Sequence, residues 1–108
     1  MAPLKHLRFD HYYQGDQFHC YAIHARTGRT LASVQIEFEG TMGHVIDFEM
    51  SRKHLNLGLP EALIRQVIIC CRTRQIHRLR LSGTLCAEGH MPVEMQQRLG
   101  FLNGERSV

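Results

Sequence analysis

His44-Val45-Ile46-Asp47-Phe48-Glu49-Met50 runs into Ser51-Arg52-Lys53-His54 and then into Leu55-Asn56-Leu57-Gly58-Leu59-Pro60. The first seven residues read as a strand, the next four as a polar, basic turn. From Pro60 to about Arg74 the spacing predicts a helix, with Leu59, Leu63, Val67, Cys70 and Cys71 on one stripe at intervals of three and four. Proline suits the first helical turn. Glu61 suits the positive end of the helix dipole and stands four residues before Arg65, the spacing of an ion pair on one helix face. A strand, a glycine-bearing loop and a helix N-terminus in that order aim backbone N–H groups at the loop, an arrangement suited to anions.

Upstream, Leu4 to Phe9 reads as a first short strand and Asp10 to Gln17 as a loop with a Gly15-Asp16 turn signal. Phe18 to Ala25 reads as a strand, and Thr30 to Glu39 alternates Ala32, Val34, Ile36 and Phe38 with Ser33, Gln35, Glu37 and Glu39, a strand period of two. With His44–Met50 these form a three-stranded antiparallel meander. Downstream, His77 to Ser82 predicts a strand, Gly83 to His90 a loop and Pro92 to Leu99 a helix ended by Gly100. Phe101-Leu102 begins a last strand, and Asn103 to Val108 reads as a frayed end. Strand, helix, strand implies a parallel crossover between His44–Met50 and His77–Ser82.

The chain has 108 residues, which suits a single domain over 1–108 with one modest core. Its hydrophobic and charged fractions, 44% and 21%, are those of a folded soluble protein. No apolar run reaches bilayer length and Met1–His6 lacks a signal-peptide core, so the expectation is a cytoplasmic protein with no membrane partner. Cys20, Cys70, Cys71 and Cys86 form no C-x-x-C pair and read as small apolar side chains; neither they nor the eight scattered histidines have the spacing of a metal site. The net charge of +3 suits a phosphate-bearing ligand as well as weak nucleic-acid contact.

Gly58-Leu59-Pro60-Glu61-Ala62-Leu63-Ile64 after a strand, the basic strand His77-Arg78-Leu79-Arg80-Leu81, and Met95-Gln96-Gln97-Arg98-Leu99-Gly100-Phe101 together resemble the Gcn5-related N-acetyltransferase (GNAT) superfamily over about residues 18–102. The resemblance implies an α+β fold: a mixed sheet in which an antiparallel meander is followed by β-α-β-α. The family's two helices between its first strands are lacking here, because Asp10–Gln17 is too short for them. That lack predicts bared apolar surface and a homodimer, through a sheet edge or the bared face.

The resemblance also implies acetyl-CoA as co-substrate and direct transfer to an amine, with the acceptor unspecified. Its pyrophosphate would lie on the backbone of Asn56, Leu57, Gly58, Leu59 and Glu61, with Arg52, Lys53 and His54 nearby, and its pantetheine arm would pair with the backbone at Met50. His44 falls where several members carry a base. Glu49 and Asp47, read as lying on the opposite strand face, compete with it. Three positions depart from the family pattern: Leu55 replaces Gln or Arg, Pro60 replaces a small residue and removes an N–H donor, and Gln96 replaces the tyrosine that protonates the thiolate. These departures suit a second reading, a catalytically inactive interaction or regulatory module. Arg65, Arg72, Arg74, Arg78 and Arg80 suggest a third, a nucleic-acid binder with one basic face, although no recognition motif accompanies them.

Overall fold

The computed structural model describes residues 6–51, 58–87 and 89–108. The elements are β1 (Leu7–Gln14), β2 (Gln17–His24), β3 (Thr30–Glu39), β4 (Met42–Met50), α1 (Leu59–Thr73), β5 (Arg78–Leu81), α2 (Gly83–Ala87), α3 (Val93–Arg98) and β6 (Glu105–Ser107). The strands form one six-stranded sheet in sequence order. β1 to β4 are an antiparallel meander, β4 and β5 are parallel across α1, and β6 returns antiparallel to β5. This is the expected mixed α+β sheet, with no helix between β1 and β2.

Three segments differ from the sequence expectation. Asp10–Gln14 continues β1 rather than forming a loop, so the meander has four strands. Its polar residues obscure the period, but the Tyr12 ring stacks on His19 at 4.5 Å and lies 6.1 Å from Tyr21 on β2, contacts that hold the hairpin together. Gly83–Ala87 is a short helix rather than loop: the Ser82 hydroxyl accepts the Leu85 N–H at 3.3 Å and so caps a segment of weak helix formers. The last strand is Glu105–Ser107, not Phe101-Leu102. Asn103 and Gly104, both at positive φ, fold Glu105 back onto Leu102, and Val108 N–H donates to His77 C=O, so the end is paired rather than frayed.

The core lies between one sheet face and the helices. Cys20, Val34, Ile36, Val45, Phe48, Leu79 and Leu81 from the sheet meet Leu59, Leu63, Val67 and Cys71 of α1, together with Leu85, Met91, Met95 and Leu99. Residues 59, 63, 67 and 71 are spaced by four, which is why α1 buries a single stripe. Full burial of each leucine there contributes about 1.5–3 kcal/mol. Gly43 lets β4 approach this core: a Cβ there would stand 2.9 Å from Leu79 Cδ2 and 3.1 Å from Ile36 Cγ2.

The opposite sheet face carries Asp10 and Tyr12, then His19 and Tyr21, Ser33, Gln35 and Glu37, and on β5 Arg78 and Arg80. None of them is fully buried. The bared surface is thus polar and aromatic, not apolar as expected, because the strand alternation places the aliphatic side chains under the helices. That alternation also splits the five arginines. Arg78 and Arg80 stand on the open face beside Glu105, at 3.6 and 3.4 Å, whereas Arg65 and Arg72 belong to α1, and Arg74 to its C-cap, on the other side. They do not form the single basic face that the sequence suggested.

Candidate active site at the divergence of two parallel strands

β4 changes character halfway along. Ile36 faces Val45 and Gln35 faces Asp47, so Ile46 is an extra residue, a bulge, on β4. The bulge shifts the alternation by one: Gly43 and Val45 are buried before it, Phe48 after it. His44, Asp47 and Glu49 consequently lie opposite Glu37, Gln35 and Ser33, all on the open face. The sequence expectation placed His44 on the face opposite Asp47 and Glu49; an uninterrupted period of two gives that result, and the bulge corrects it.

The parallel ladder of β4 and β5 ends at the same place. Val45 opposite Leu81 is its last pair, with Ser82 N–H still donating to Val45 C=O at 2.9 Å. Beyond that point β5 turns into α2, while β4 stays paired with β3 as far as Met50, and Ser51 N–H donates to Leu31 C=O. Among the described residues, the β5 side of residues 46–51 therefore has no neighbouring strand.

A cavity of about 740 Å³ lies at this end of the sheet. Phe48, Glu49 and Met50 of β4 line it with Ser51 just beyond, Thr30 to Ser33 line it from β3, and Gly89, His90 and Pro92 ahead of α3 join Met95 within it. Its size is that of a small-molecule or cofactor cleft, and its walls mix aliphatic groups with a carboxylate and hydroxyls.

α1 begins where the described chain resumes. Gly58 adopts the left-handed conformation at φ 83° that glycine takes without strain, no side chain caps the helix, and Pro60 occupies the first turn. Glu61 pairs with Arg98 of α3 at 2.9 Å rather than with Arg65 as its spacing suggested. The α1–α3 packing brings Arg98 within reach, and this places a guanidinium beside the first turn of α1.

Among the expected site residues, Glu49 and Met50 share the cavity. Gly58, Leu59 and Glu61 sit at the α1 N-terminus, as expected. Arg52, Lys53, His54, Leu55, Asn56 and Leu57 lie outside the described residues. His44 is not at the cavity. It stands roughly 15 Å along the strand from Glu49, on the paired side of the bulge, opposite Glu37 and 3.7 Å from the Glu39 carboxylate. Gln96 is not among the cavity-lining residues; its amide nitrogen donates to Met91 C=O at 2.9 Å and contacts Cys86 Sγ at 3.5 Å, bracing the chain between α2 and α3. Ser51, His90, Pro92 and Met95 also line the cavity; Met95 opens one of the stretches that carry the resemblance, while His90 lies in a segment read only as loop. Cys20 and Cys71 are buried, and burial pushes both thiols up to about 12, whereas Cys86 is exposed. Among the described residues no helix is long and apolar enough to cross a membrane.

No protein-family model matches the sequence, and no curated protein matches it. Solved structures do match. Nourseothricin acetyltransferase superposes with a TM-score of 0.64 at 21% identity, over 80% of this chain and 50% of its own. The GNAT domain of S. lividans PAT gives 0.66 at 18% identity, over 89% and 64%. The paia N-acetyltransferase of Thermoplasma acidophilum, solved in complex with coenzyme A, gives 0.66 at 9% identity, over 86% and 62%. The chain spans about half the length of the first two structures it matches, 50% and 52%. With the meander, the parallel crossover and the divergence after Val45 in place, these likenesses establish that the chain has the fold of the Gcn5-related N-acetyltransferases.

Proposed function

We propose that this chain binds acetyl-CoA in the cleft where β4 leaves β5 and transfers the acetyl group to an amine. The observation that carries this reading is the coincidence of bulge, ladder end and cavity at residues 45–51, with the N-terminus of α1 next along the chain. Backbone between Phe48 and Met50, paired with β3 on one side and, among the described residues, with no strand on the other, suits an extended pantetheine arm, which can pair with it as a strand would. A helix N-terminus suits a diphosphate, and in this reading the N–H groups of Leu59 and Glu61 join those of the preceding loop as donors. Pro60 contributes none. Arg52, Lys53, Asn56 and Leu57, which lie outside the described residues, complete the cofactor-binding set in this reading.

Bound there, acetyl-CoA supplies an activated acyl thioester; the protein's work is to orient the amine and take its proton. Glu49 is the base in this reading, because it is the carboxylate residue among those that line the cavity, and Asp47 stands two residues away on the same face. His44 acts, if at all, from the far side of the bulge. Calorimetry with acetyl-CoA, followed by acetyl transfer to a panel of amines by wild type and Glu49→Gln, tests the proposal. Binding with no turnover on any amine, or no binding, would refute transfer.

One observation favours a second reading, ligand binding without transfer. Gln96 is held by Met91 and Cys86, and an amide is no acid for a departing thiolate. In that case the fold serves as a CoA-responsive interaction module in the cell, and titration would show binding while every amine stays unmodified.

A further inference from the structure

β1 is a sheet edge, and among the described residues no strand lies on its outer side. It is eight residues long and carries no proline, lysine or bulge, the usual devices that blunt an exposed edge. The hairpin fixes which of its backbone groups face outward. Gln14 and Gln17 close a two-residue turn, so the even-numbered residues of β1 exchange hydrogen bonds with β2; Ala25 N–H donating to His6 C=O continues the same phase. Leu7, Phe9, His11 and Tyr13 therefore turn their N–H and C=O groups away from the sheet.

We propose that this edge pairs antiparallel with the same edge of a second copy, about a two-fold axis through Phe9. Outward-facing residues must meet outward-facing residues, which restricts a symmetric pairing to registers centred on a single residue. Centring on Arg8 or on Asp10 sets like charges opposite each other. Centring on His11 sets Asp10 against tyrosine and Arg8 against glutamine, and centring on Tyr12 sets Asp10 against glutamine. Centring on Phe9 alone sets Arg8 against Asp10 of the partner subunit, twice by symmetry. Within one chain these two side chains already lie 3.3 Å apart and about half exposed, so the dimer lines up four alternating charges on the open face. The half-buried Phe9 meets its counterpart on the helix side. The self-complementary spacing of Arg8 and Asp10 about Phe9 is what selects a second copy over an unrelated strand.

Sedimentation velocity on the full chain over a range of concentrations tests the pairing. Wild type is expected to dimerise. His11→Pro removes an outward N–H without touching a β2 ladder bond and should raise the dimer dissociation constant about tenfold or more; His11→Ala, which loses the same ring contacts with Tyr13 and Phe18 but keeps the N–H, is the control and should stay dimeric. Arg8→Asp should do the same by opposing aspartates, and adding Asp10→Arg should restore the dimer. Circular dichroism of each variant checks folding; if His11→Pro unfolds the chain, the charge pair decides alone. A monomeric wild type, a dimer indifferent to Arg8→Asp, or a double variant that stays monomeric would each overturn the proposal.

Discussion

Val45 is the last residue of β4 to pair with β5, opposite Leu81, and the residue after it, Ile46, is the bulge. A bulge bends its strand and sharpens the local twist. Placed one step beyond the last parallel pair, it turns β4 away just as β5 enters α2. The divergence of the two strands thus coincides with an irregularity of β4 itself.

Glu49→Gln should lower acetyl transfer by about 10²–10⁴-fold while acetyl-CoA binding stays near wild type, because the carboxylate is assigned to the amine and not to the cofactor. His44→Gln should change transfer far less. Steady-state kinetics beside calorimetry check both; a larger loss at His44 would move the base to the paired half of β4.

Gly43→Ala should destabilise the fold by about 1–3 kcal/mol, because the new methyl meets Leu79 and Ile36 in a packed core. Chemical denaturation measures this. Gly58→Ala should also destabilise, for a different reason: its Cβ would meet nothing within 4 Å among the described residues, but φ 83° strains any side chain.

Stability should decline on the alkaline side. Cys20 and Cys71 ionise near their ordinary pKa of 9 when unfolded but only near 12 when folded, since burial penalises the thiolate. The folded state keeps protons that the unfolded state releases, so the stability they confer is whole below pH 9 and is lost as pH climbs towards 12. The expected slope is up to about 1.4 kcal/mol per pH unit for each thiol. Thermal melts across that range should flatten in Cys20→Ala and Cys71→Ala. Thiol reagents at neutral pH should reach Cys86 first.

The Glu61–Arg98 pair is partly exposed, so a double-mutant cycle should give only about 0.2–1 kcal/mol, smaller in high salt. Its larger expected effect is on ligand. Arg98→Ala leaves the Glu61 charge uncompensated at the helix N-terminus and should weaken acetyl-CoA binding more than it weakens the fold, a difference that calorimetry and melting resolve together.

The strand alternation of Thr30–Glu39 and the stripe from Leu59 to Cys71 made the meander and main helix legible, because each rests on one strong period. β1 was half hidden because its far end is held by Tyr12 stacking on another strand, a tertiary contact that no local pattern records. The bulge was invisible for the same reason: Ile46 looks like any aliphatic strand residue, and only the register with β3 shows it to be extra. That one residue decides which carboxylates share a face with His44. The helix from Pro92 to Leu99 was legible, but that His90, Pro92 and Met95 share a cavity with Glu49 is a tertiary relationship that no local pattern records.

The central claim is that the gap beyond Val45 receives acetyl-CoA. An amide-resolved NMR titration of the full chain with acetyl-CoA tests it most directly. Saturable shifts are expected at Phe48 to Ser51 and Gly58 to Ala62, with little change on β1. Absence of saturable shifts, or shifts confined to the open face around Tyr12 and Tyr21, would contradict it.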